Sequence, residues 1–555
     1  MIPRRERRPL HIAAAEHLRA AFPNQGEDVA EVIAAHLLDA YRAGGGTRDD
    51  ELRAPTVAAL RRAAARSESV GAPSTALRTL RTAVELAADE DERLELLEAA
   101  GRMALLAGAY QASLDLFEEA RTAHQAAGRS REVARLGGNV GQATARLGRN
   151  EEAAEIMREA LATLGPEEAD PLRTEITCEL ANALVFSGKH QEAAPIIDRA
   201  LEMSEAVELP AFVARALHVK SLSSVLAGRY EEGAALCDRA IEVGERHQLP
   251  MRVASYINAA DFRLKRDMEG QIEATETALA SAREVGDRGA ETVALGNWLL
   301  ALTMAGRWEE SVRAGMEAAA EPDRPDVNVV RYNLVHLCLR QGDLEGARSL
   351  FEAMGGWEDV EQFESAAMYR ALEGLIMLEA GEAEPASELL ADVVRRSTEL
   401  EGANSETTRM TWAEAVAAAI SAGRLDRADE VIALLADRPR GHVPPLLRAE
   451  LARGQALLAA ARGDDSSVER LLREAIAEFD RLGYPYWRAR AEVDLGAWLT
   501  ERGRADEAAS LLSAAIATLA ELGASPVLGR AQSLIGGEPA ETPAEKMTAT
   551  PVALD

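Results

Sequence analysis

A short turn motif recurs along this 555-residue chain at a nearly constant interval. The motif is a glycine, a variable residue, often an aromatic residue or leucine, two polar residues and then a small residue. Clear copies begin at Gly148, Gly188, Gly228, Gly306, Gly342, Gly423 and Gly503, and weaker copies at Gly71, Gly108, Gly381 and Gly463. The copies from 108 to 228 and those from 423 to 503 are spaced 40 residues apart. Equal short units of this kind must stack on one another, because none can bury an apolar face alone.

Each part of the motif indicates a hairpin of two helices. Glycine adopts the positive φ that commonly ends a helix, so it marks the end of the first helix. Acidic residues follow it in the first turn of the second helix, where the helix dipole favours them. The small residue lets the two helices approach closely. Apolar residues then recur at three- and four-residue intervals, as at Ile156, Met157, Ala160 and Leu161, which is typical of an amphipathic helix.

The composition favours helices throughout. Aromatic residues make up only 4% of the chain, and the 47% of hydrophobic residues are largely alanine and leucine. Alanine loses no side-chain entropy on entering a helix, and the alternating patterns that mark strands are rare here. The sequence therefore predicts an all-α fold, a right-handed α-solenoid of about twelve helical hairpins.

The motif resembles the tetratricopeptide repeat, or TPR. Its pattern of small residue, glycine, aromatic residue and alanine is that family's, but the 40-residue period exceeds the usual 34, so the helices or loops should be longer. Segments such as Ala206–Pro210 and Glu245–Pro250 are predicted to be inter-repeat loops. The resemblance implies that the first helices line a concave groove and that a protein or peptide segment binds there.

A narrower resemblance concerns the start of the chain. The segments Ile2–His11, Ala13–His17 and Val29–Tyr41 are similar to the junction that follows the ATPase region in bacterial signalling proteins. Those proteins join a class III adenylate or guanylate cyclase, or a transcription activator, to an AAA-type or STAND-type ATPase and a long TPR tail. The present sequence matches the tail alone. A start upstream of Met1 would make it a fragment of such a protein.

No catalytic or cofactor-binding motif is apparent. A phosphate-binding loop is absent, because the glycine-rich stretch Gly44–Thr47 lacks the lysine that reaches phosphate. The nine histidines and three cysteines are scattered without metal-ligand spacing, and no nucleophile elbow occurs. We therefore expect no enzyme activity, no metal and no cofactor.

The net charge of −30 bears on the partners of the chain. Nucleic acids and anionic membranes are bound by clustered Lys and Arg, and the one basic cluster, Arg4–Arg8, is short. We expect binding to neither. Cys178, Cys237 and Cys338 lie far apart in apolar helical stretches and look like buried thiols. With no signal-peptide core and no apolar run long enough to span a bilayer, a cytoplasmic location is expected.

Asparagines on the first helices are the candidate partner-binding residues. An Asn side chain both donates and accepts, so it can bind an extended backbone whatever its sequence. The alternative is that these residues bond a neighbouring repeat or face solvent. The candidates are Asn139, Asn182, Asn258, Asn297 and Asn333, together with Tyr256 and Tyr332, which each lie near one of them.

Breaks in the pattern divide the chain. The predicted parts are an N-terminal helical junction (1–50), the repeat array (51–523) with a bend near 321–326, a capping helix (524–535) and a disordered tail (536–555). Three functions remain open for this arrangement. They are a non-catalytic scaffold, a regulatory tail of a cyclase- or ATPase-type system, and a small-molecule sensor. The scaffold and the tail require an open polar groove, whereas the sensor requires an enclosed pocket.

Overall fold

A computed structural model describes residues 4–22, 29–43, 50–165, 170–249, 252–266, 270–322, 324–355, 363–400 and 402–536. All regular secondary structure in the described residues is helical. The helices in its first part are α1 (Arg4–Ala21), α2 (Ala30–Ala43), α3 (Asp50–Ser69), α4 (Pro73–Val84), α5 (Glu90–Leu106), α6 (Tyr110–Ala126), α7 (Ser130–Arg146), α8 (Asn150–Thr163), α9 (Pro171–Phe186), α10 (His190–Ala206), α11 (Pro210–Leu226), α12 (Tyr230–Arg246), α13 (Arg252–Arg266) and α14 (Gln271–Val285).

The second part contains thirteen further α-helices and one short 3₁₀ helix (Arg440–His442). These α-helices are α15 (Arg288–Met304), α16 (Trp308–Ala319), α17 (Val327–Gln341), α18 (Leu344–Ala353), α19 (Phe363–Glu379), α20 (Ala383–Leu400), α21 (Glu406–Ser421), α22 (Leu425–Ala436), α23 (Pro445–Ala461), α24 (Val468–Leu482), α25 (Pro485–Glu501), α26 (Ala505–Leu522) and α27 (Ser525–Ile535). Helices α3 to α26 form twelve consecutive antiparallel hairpins, which confirms the predicted solenoid of TPR-like repeats.

The 40-residue period follows from the lengths of the helices. Helices α5, α6 and α7 have 17 residues each, and three residues separate one helix from the next. The helices are thus longer than the resemblance required, and the loops remain short. Where α16 and α18 shorten to 12 and 10 residues, the spacing of the motif falls as well.

Close packing inside each hairpin depends on the small residue of the motif. Ala153, Ala193, Ala347 and Ala428 occupy this place and have no exposed surface. At Gly233, a Cβ atom would lie 2.9 Å from the carbonyl oxygen of Ser221 in the preceding helix. A larger side chain at this place would therefore push the two helices of the hairpin apart.

The hairpins are arranged in two layers. Odd-numbered helices from α7 to α23 pack against the next odd-numbered helix, whereas even-numbered helices pack chiefly on their own hairpin and the one after it. The odd-numbered helices therefore form the inner layer of the solenoid. This agrees with the concave first helices that the TPR resemblance implies.

Successive turns of the solenoid touch each other. The C-terminal end of α5 contacts the segment before α17, six hairpins further along the chain. Tyr110 donates a hydrogen bond to Asp326 across this contact (2.8 Å), and Gly108 lies against Pro325 so closely that a Cβ atom there would overlap the proline ring. The segment 321–326, predicted as a bend between sub-arrays, thus takes part in a contact between turns.

Similar contacts continue along the coil, and we call the whole line of them the seam. At Gly71 and Gly286 two backbones meet, since a Cβ at Gly286 would lie 2.8 Å from Cα of Gly71. Further contacts join His190 to Leu400, Tyr230 to His442, Gly306 to Pro485 and Gly342 to Pro526. Nine helices lie between the members of the last pair, against eleven between Gly71 and Gly286, so the coil tightens towards its C-terminal end.

Both ends of the described chain pack onto the array. Ala15 and Ile33 of the predicted junction segment share a hydrophobic core with Leu60 and Leu97, and α27 packs on α25, α26 and α17. The boundaries at 50 and 523 remain predictions. The predicted disordered tail lies outside the described residues, apart from Gly536.

Replacing Gly306 with Ala is expected to destabilise the protein more than replacing Gly503. Both glycines have positive φ (81° and 73°), so both substitutions carry a backbone strain of about 1–2 kcal/mol. Only at Gly306 does the new Cβ meet the next turn, 2.7 Å from Cγ of Pro485, and overpacking adds about 1–3 kcal/mol. Urea unfolding of both variants measures the difference. Equal losses would contradict the contact between turns.

Candidate partner-binding surface

The inner layer is accessible to solvent mainly in the first turn of the coil. On α7, the side chains 13, 9, 6 and 2 residues before the turn glycine lie on one helical face and are exposed or half-buried, and they are Arg135, Asn139, Gln142 and Arg146. The corresponding face of α9 carries Glu175, Glu179, Asn182 and Phe186, and that of α13 carries Ala254, Asn258 and Asp261. We call the space in front of these inner faces, from α7 to Asn297 on α15, the lumen.

Ion pairs between neighbouring inner helices neutralise most charges of the lumen. Arg135 of α7 donates to Glu98 of α5 (2.8 Å), and Arg215 of α11 pairs with the largely buried Glu179 of α9. Ion pairs of this kind hold adjacent repeats in register. They also leave little net charge to recognise a strongly charged ligand.

Several predicted amides of the inner layer have no partner. The side chains of Asn139, Asn182 and Asn297 are half-buried and make no hydrogen bond to another described residue. The Asn258 amide nitrogen lies 3.5 Å from Nε2 of His218 on α11. Burial, followed by the charge of Arg215, lowers the pKa of His218 to about 4, so its ring is neutral at pH 7. Polar amides with unused donors and acceptors thus face the lumen from several repeats.

Three of the predicted site residues lie elsewhere. Tyr332 has no exposed surface and packs edge-on against His336 of the same helix, so it does not line an accessible groove. Asn333 is buried and donates to the carbonyl oxygen of Val329 one turn earlier (3.0 Å), which is the local bonding weighed as the alternative. Tyr256 is half-buried and donates its hydroxyl to Glu245 of α12, away from the lumen.

Side chains of the second turn fill its interior across the axis of the coil. The Arg340 guanidinium of α17 lies 5.8 Å from the ring centroid of Tyr486 and 5.1 Å from that of Trp487, both at the start of α25. Glu414 of α21 accepts two hydrogen bonds from Arg490 of α25, skipping the intervening α23. We call Arg340, Glu414, Tyr486, Trp487 and Arg490 the plug. Around it, one hydrophobic cluster joins α15, α17, α21 and α23 to α26.

The lumen is recessed, although two of its charged side chains, Glu175 and Arg146, are exposed. Glu175 has an exposed side chain, yet desolvation by the surrounding protein, followed by the charge of Glu179, raises its pKa. Arg146 is exposed as well, and desolvation acts to lower its pKa, but Asp287, Tyr110 and Asp326 outweigh that effect and raise the pKa. Because Tyr110 and Asp326 belong to the seam, Arg146 lies where the lumen meets the seam.

Two depressions occur on the described surface outside the lumen. One of about 500 Å³ lies between α1 and α2 and is lined by Arg7, Leu10, His11, Ala14 and His36. The other, of about 580 Å³, lies over α20 and α22 and contains several paired arginine and acidic side chains. Both are open to solvent, unlike the enclosed pocket that a small-molecule sensor requires.

Within the part of the chain that the structure describes, no cluster of three or more His, Cys, Asp or Glu side chains is placed to hold a metal ion. Over the same residues, no helix combines the length and the apolar character needed to cross a bilayer.

Cys178 and Cys237 are buried and form no disulfide, and desolvation raises the pKa of each thiol to about 12.

Neither a protein-family model nor a curated protein sequence matches the chain. Among solved structures it is similar to a Rap protein complexed with competence and sporulation factor (15% identity, 77% of this chain, 100% of that chain, TM-score 0.42). It is also similar to the APC/C hetero-tetramer Cut9–Hcn1 (12% identity, 87% and 93%, TM-score 0.44) and to the apo quorum sensor NprR from B. thuringiensis (14%, 66% and 94%, TM-score 0.34). Likenesses this distant assign the chain to no family and to no function.

One place on the inner helices carries a sequence signal for ion pairs. The place nine residues before the turn glycine holds Asn139 on α7 and Asn297 on α15, but Glu179 on α9, Glu414 on α21 and Asp494 on α25. Arginines accompany the last two acids, since Arg490 bonds Glu414 and Arg453 bonds Asp494 (2.7 Å). Glu179 likewise pairs with Arg215, so an acidic residue at this place indicates an ion pair between inner helices where an asparagine leaves an amide.

Replacing Glu414 with Gln is expected to destabilise the protein by about 2–3 kcal/mol at pH 7, because it leaves the Arg490 guanidinium without its counter-charge. Burial acts to raise the pKa of Glu414, but Arg490 outweighs it and lowers the pKa from 4.5 to about 2. The pair is therefore fully stabilising above pH 4.5, and its contribution is lost as the pH falls towards 2.

Urea unfolding of wild type and Glu414→Gln between pH 7 and pH 2.5 measures this dependence. The gap between the two proteins should narrow as the pH falls. Glu430→Gln, on the exposed surface of α22, serves as the control and should track wild type at every pH. A gap that does not change with pH would contradict the charge pairing.

Proposed function

We propose that the chain is a non-catalytic scaffold that binds an extended polypeptide segment in the lumen of its first turn. The observation that carries this proposal is the row of amides at Asn139, Asn182 and Asn297, which have no partner within the described chain. Asn258 extends the row on α13. Amides on four of the five inner helices from α7 to α15 offer spaced donors and acceptors to an extended backbone.

The charges of the lumen support a polypeptide over a charged small molecule. The pairs Glu98–Arg135 and Glu179–Arg215 are satisfied within the protein, so breaking them for a ligand would cost free energy. The exposed ring of Phe186, 45% accessible, offers an apolar contact for a side chain of the segment. The overall charge of −30 makes nucleic acid an unfavourable ligand.

The setting in this proposal is cytoplasmic signalling in a bacterium. The resemblance of residues 2–41 to the junction of ATPase-linked signalling proteins supports this placement. Three cysteines without a disulfide fit a reducing compartment. A role as the regulatory tail of a separately encoded cyclase or ATPase is one form of the same scaffold function.

Substituting three lumen amides at once is the test of the proposal. Extended peptides are selected by phage display on the immobilised protein, and the affinity of a recovered peptide is measured by fluorescence anisotropy. The variant Asn139→Ala/Asn182→Ala/Asn258→Ala should bind it at least about ten-fold more weakly, since each lost hydrogen bond is worth about 0.5–1.5 kcal/mol. Its thermal melt should not fall, because alanine is the better helix former.

The control variant Gln111→Ala/Gln125→Ala/Gln191→Ala removes the same number of amides from exposed positions on the outer helices α6 and α10. It should bind the peptide with wild-type affinity. Loss of binding in this control and not in the lumen variant would place the site on the outer surface. Recovery of no binding peptide would contradict the scaffold function itself.

A further inference from the structure

The seam bears on how a partner reaches the lumen. In an open solenoid, a partner enters sideways between two turns. Here the C-terminal ends of α3, α5 and α11 lie on the second turn, with Gly71 on Gly286, Gly108 on Pro325 and Gly228 beside His442, and His190 at the start of α10 contacts Leu400. These contacts recur along α3 to α12, on the same part of the chain whose inner helices form the lumen. The lateral route is therefore interrupted at four places by contacts of the protein with itself.

A partner could also enter the lumen along the axis of the coil from its C-terminal side, and the plug lies on that route. Arg340, Tyr486 and Trp487 meet across the axis of the second turn, and Glu414 and Arg490 span it from α21 to α25. Leu300 and Met304, which continue the inner face onto α15, are 2% exposed and pack in the cluster around the plug. The accessible inner face therefore ends at α15, next to Asn297.

We infer that the lumen is a socket, closed sideways by the seam and at its far end by the plug, which admits the free end of an extended polypeptide. This inference rests on the proposed function for the identity of the occupant. A chain end is one backbone wide, and it can advance along the axis until it meets the plug. A folded domain or an internal loop of a compact protein is too wide for this route. The partner class is thus a flexible N- or C-terminal segment.

Cysteine labelling tests the socket without any partner. Asn139→Cys places a thiol in the lumen and Gln125→Cys places one on the outer face of α6, both in a Cys338→Ser background because Cys338 is half-buried. Each is treated with N-ethylmaleimide, with a linear polyethylene glycol maleimide, and with a maleimide carried on a small folded protein.

All three reagents should label Gln125→Cys at similar rates. At Asn139→Cys the two slender reagents should react, whereas the folded reagent should be slowed by more than about ten-fold, because it must wait for the turns to separate. Equal labelling of the two sites by the folded reagent would overturn the socket. Failure of the linear reagent at Asn139→Cys would contradict entry by a chain end.

Opening the seam should abolish the discrimination. In the Asn139→Cys protein, Gly108→Ala forces a Cβ into Pro325, and the folded reagent should then label the lumen at least about ten-fold faster. Gly188→Ala is the matched control, since that glycine also has positive φ (74°) but has no atom within 4 Å of the added Cβ. Tyr110→Phe, which removes only the hydrogen bond to Asp326, is a milder second variant.

An unchanged labelling rate in both seam variants would overturn the seam as the wall of the socket. The proposed peptide binding and the proposed socket can be contradicted independently of each other. If peptide binding survives loss of the lumen amides, the proposed function falls while the labelling pattern stands. If the folded reagent enters freely while the amides are needed for binding, the socket falls and the scaffold remains.

Discussion

The contact between successive turns is the constraint on which the rest of the structure depends. Stacked hairpins alone give an open ribbon, because each repeat touches only its neighbours. Here the turn glycines have a second role, since Gly108, Gly306 and Gly342 let the backbone of one turn meet a proline of the next. A side chain at these points would hold the turns apart. The seam therefore converts a local repeat into a closed coil with an inside and an outside.

The tightening of the coil separates two kinds of interior. Eleven helices separate Gly71 from Gly286 in the first turn, which keeps a solvated inner face, whereas nine separate Gly342 from Pro526, and α17, α21 and α25 come together around the plug. Gly454 of α23 lies against Trp412 and Val416 of α21, so a small residue lets these two inner helices approach closely. The charges in the plug are half-buried and require partners, and Arg490 with Glu414 supplies one such pair. The same repeat thus forms a solvated inner face in one turn and a core in the next.

The sequence predicted the local structure well, because local structure depends on residues close together in the chain. The turn glycines, the small packing residue and the number of hairpins were all predictable from the 40-residue motif. Contacts between turns join residues about 200 positions apart, such as Tyr110 and Asp326, and no periodicity reports them. The sequence predicts Tyr332 and Asn333 in the groove because it does not report these contacts between turns. Asn333 occupies the same register as Asn139, and Tyr332 precedes it by one residue, but this part of the coil is filled.

The distance across the seam is the quantity that most directly tests a closed coil. Nitroxide labels at Ser69→Cys and Glu284→Cys, in a Cys338→Ser background, flank the meeting of Gly71 and Gly286 at the ends of α3 and α14. Double electron–electron resonance on the full chain should give one short and narrow distance distribution, as expected for adjoining turns. A broad distribution at long distances would show that the turns separate in solution, and it would contradict the enclosed lumen.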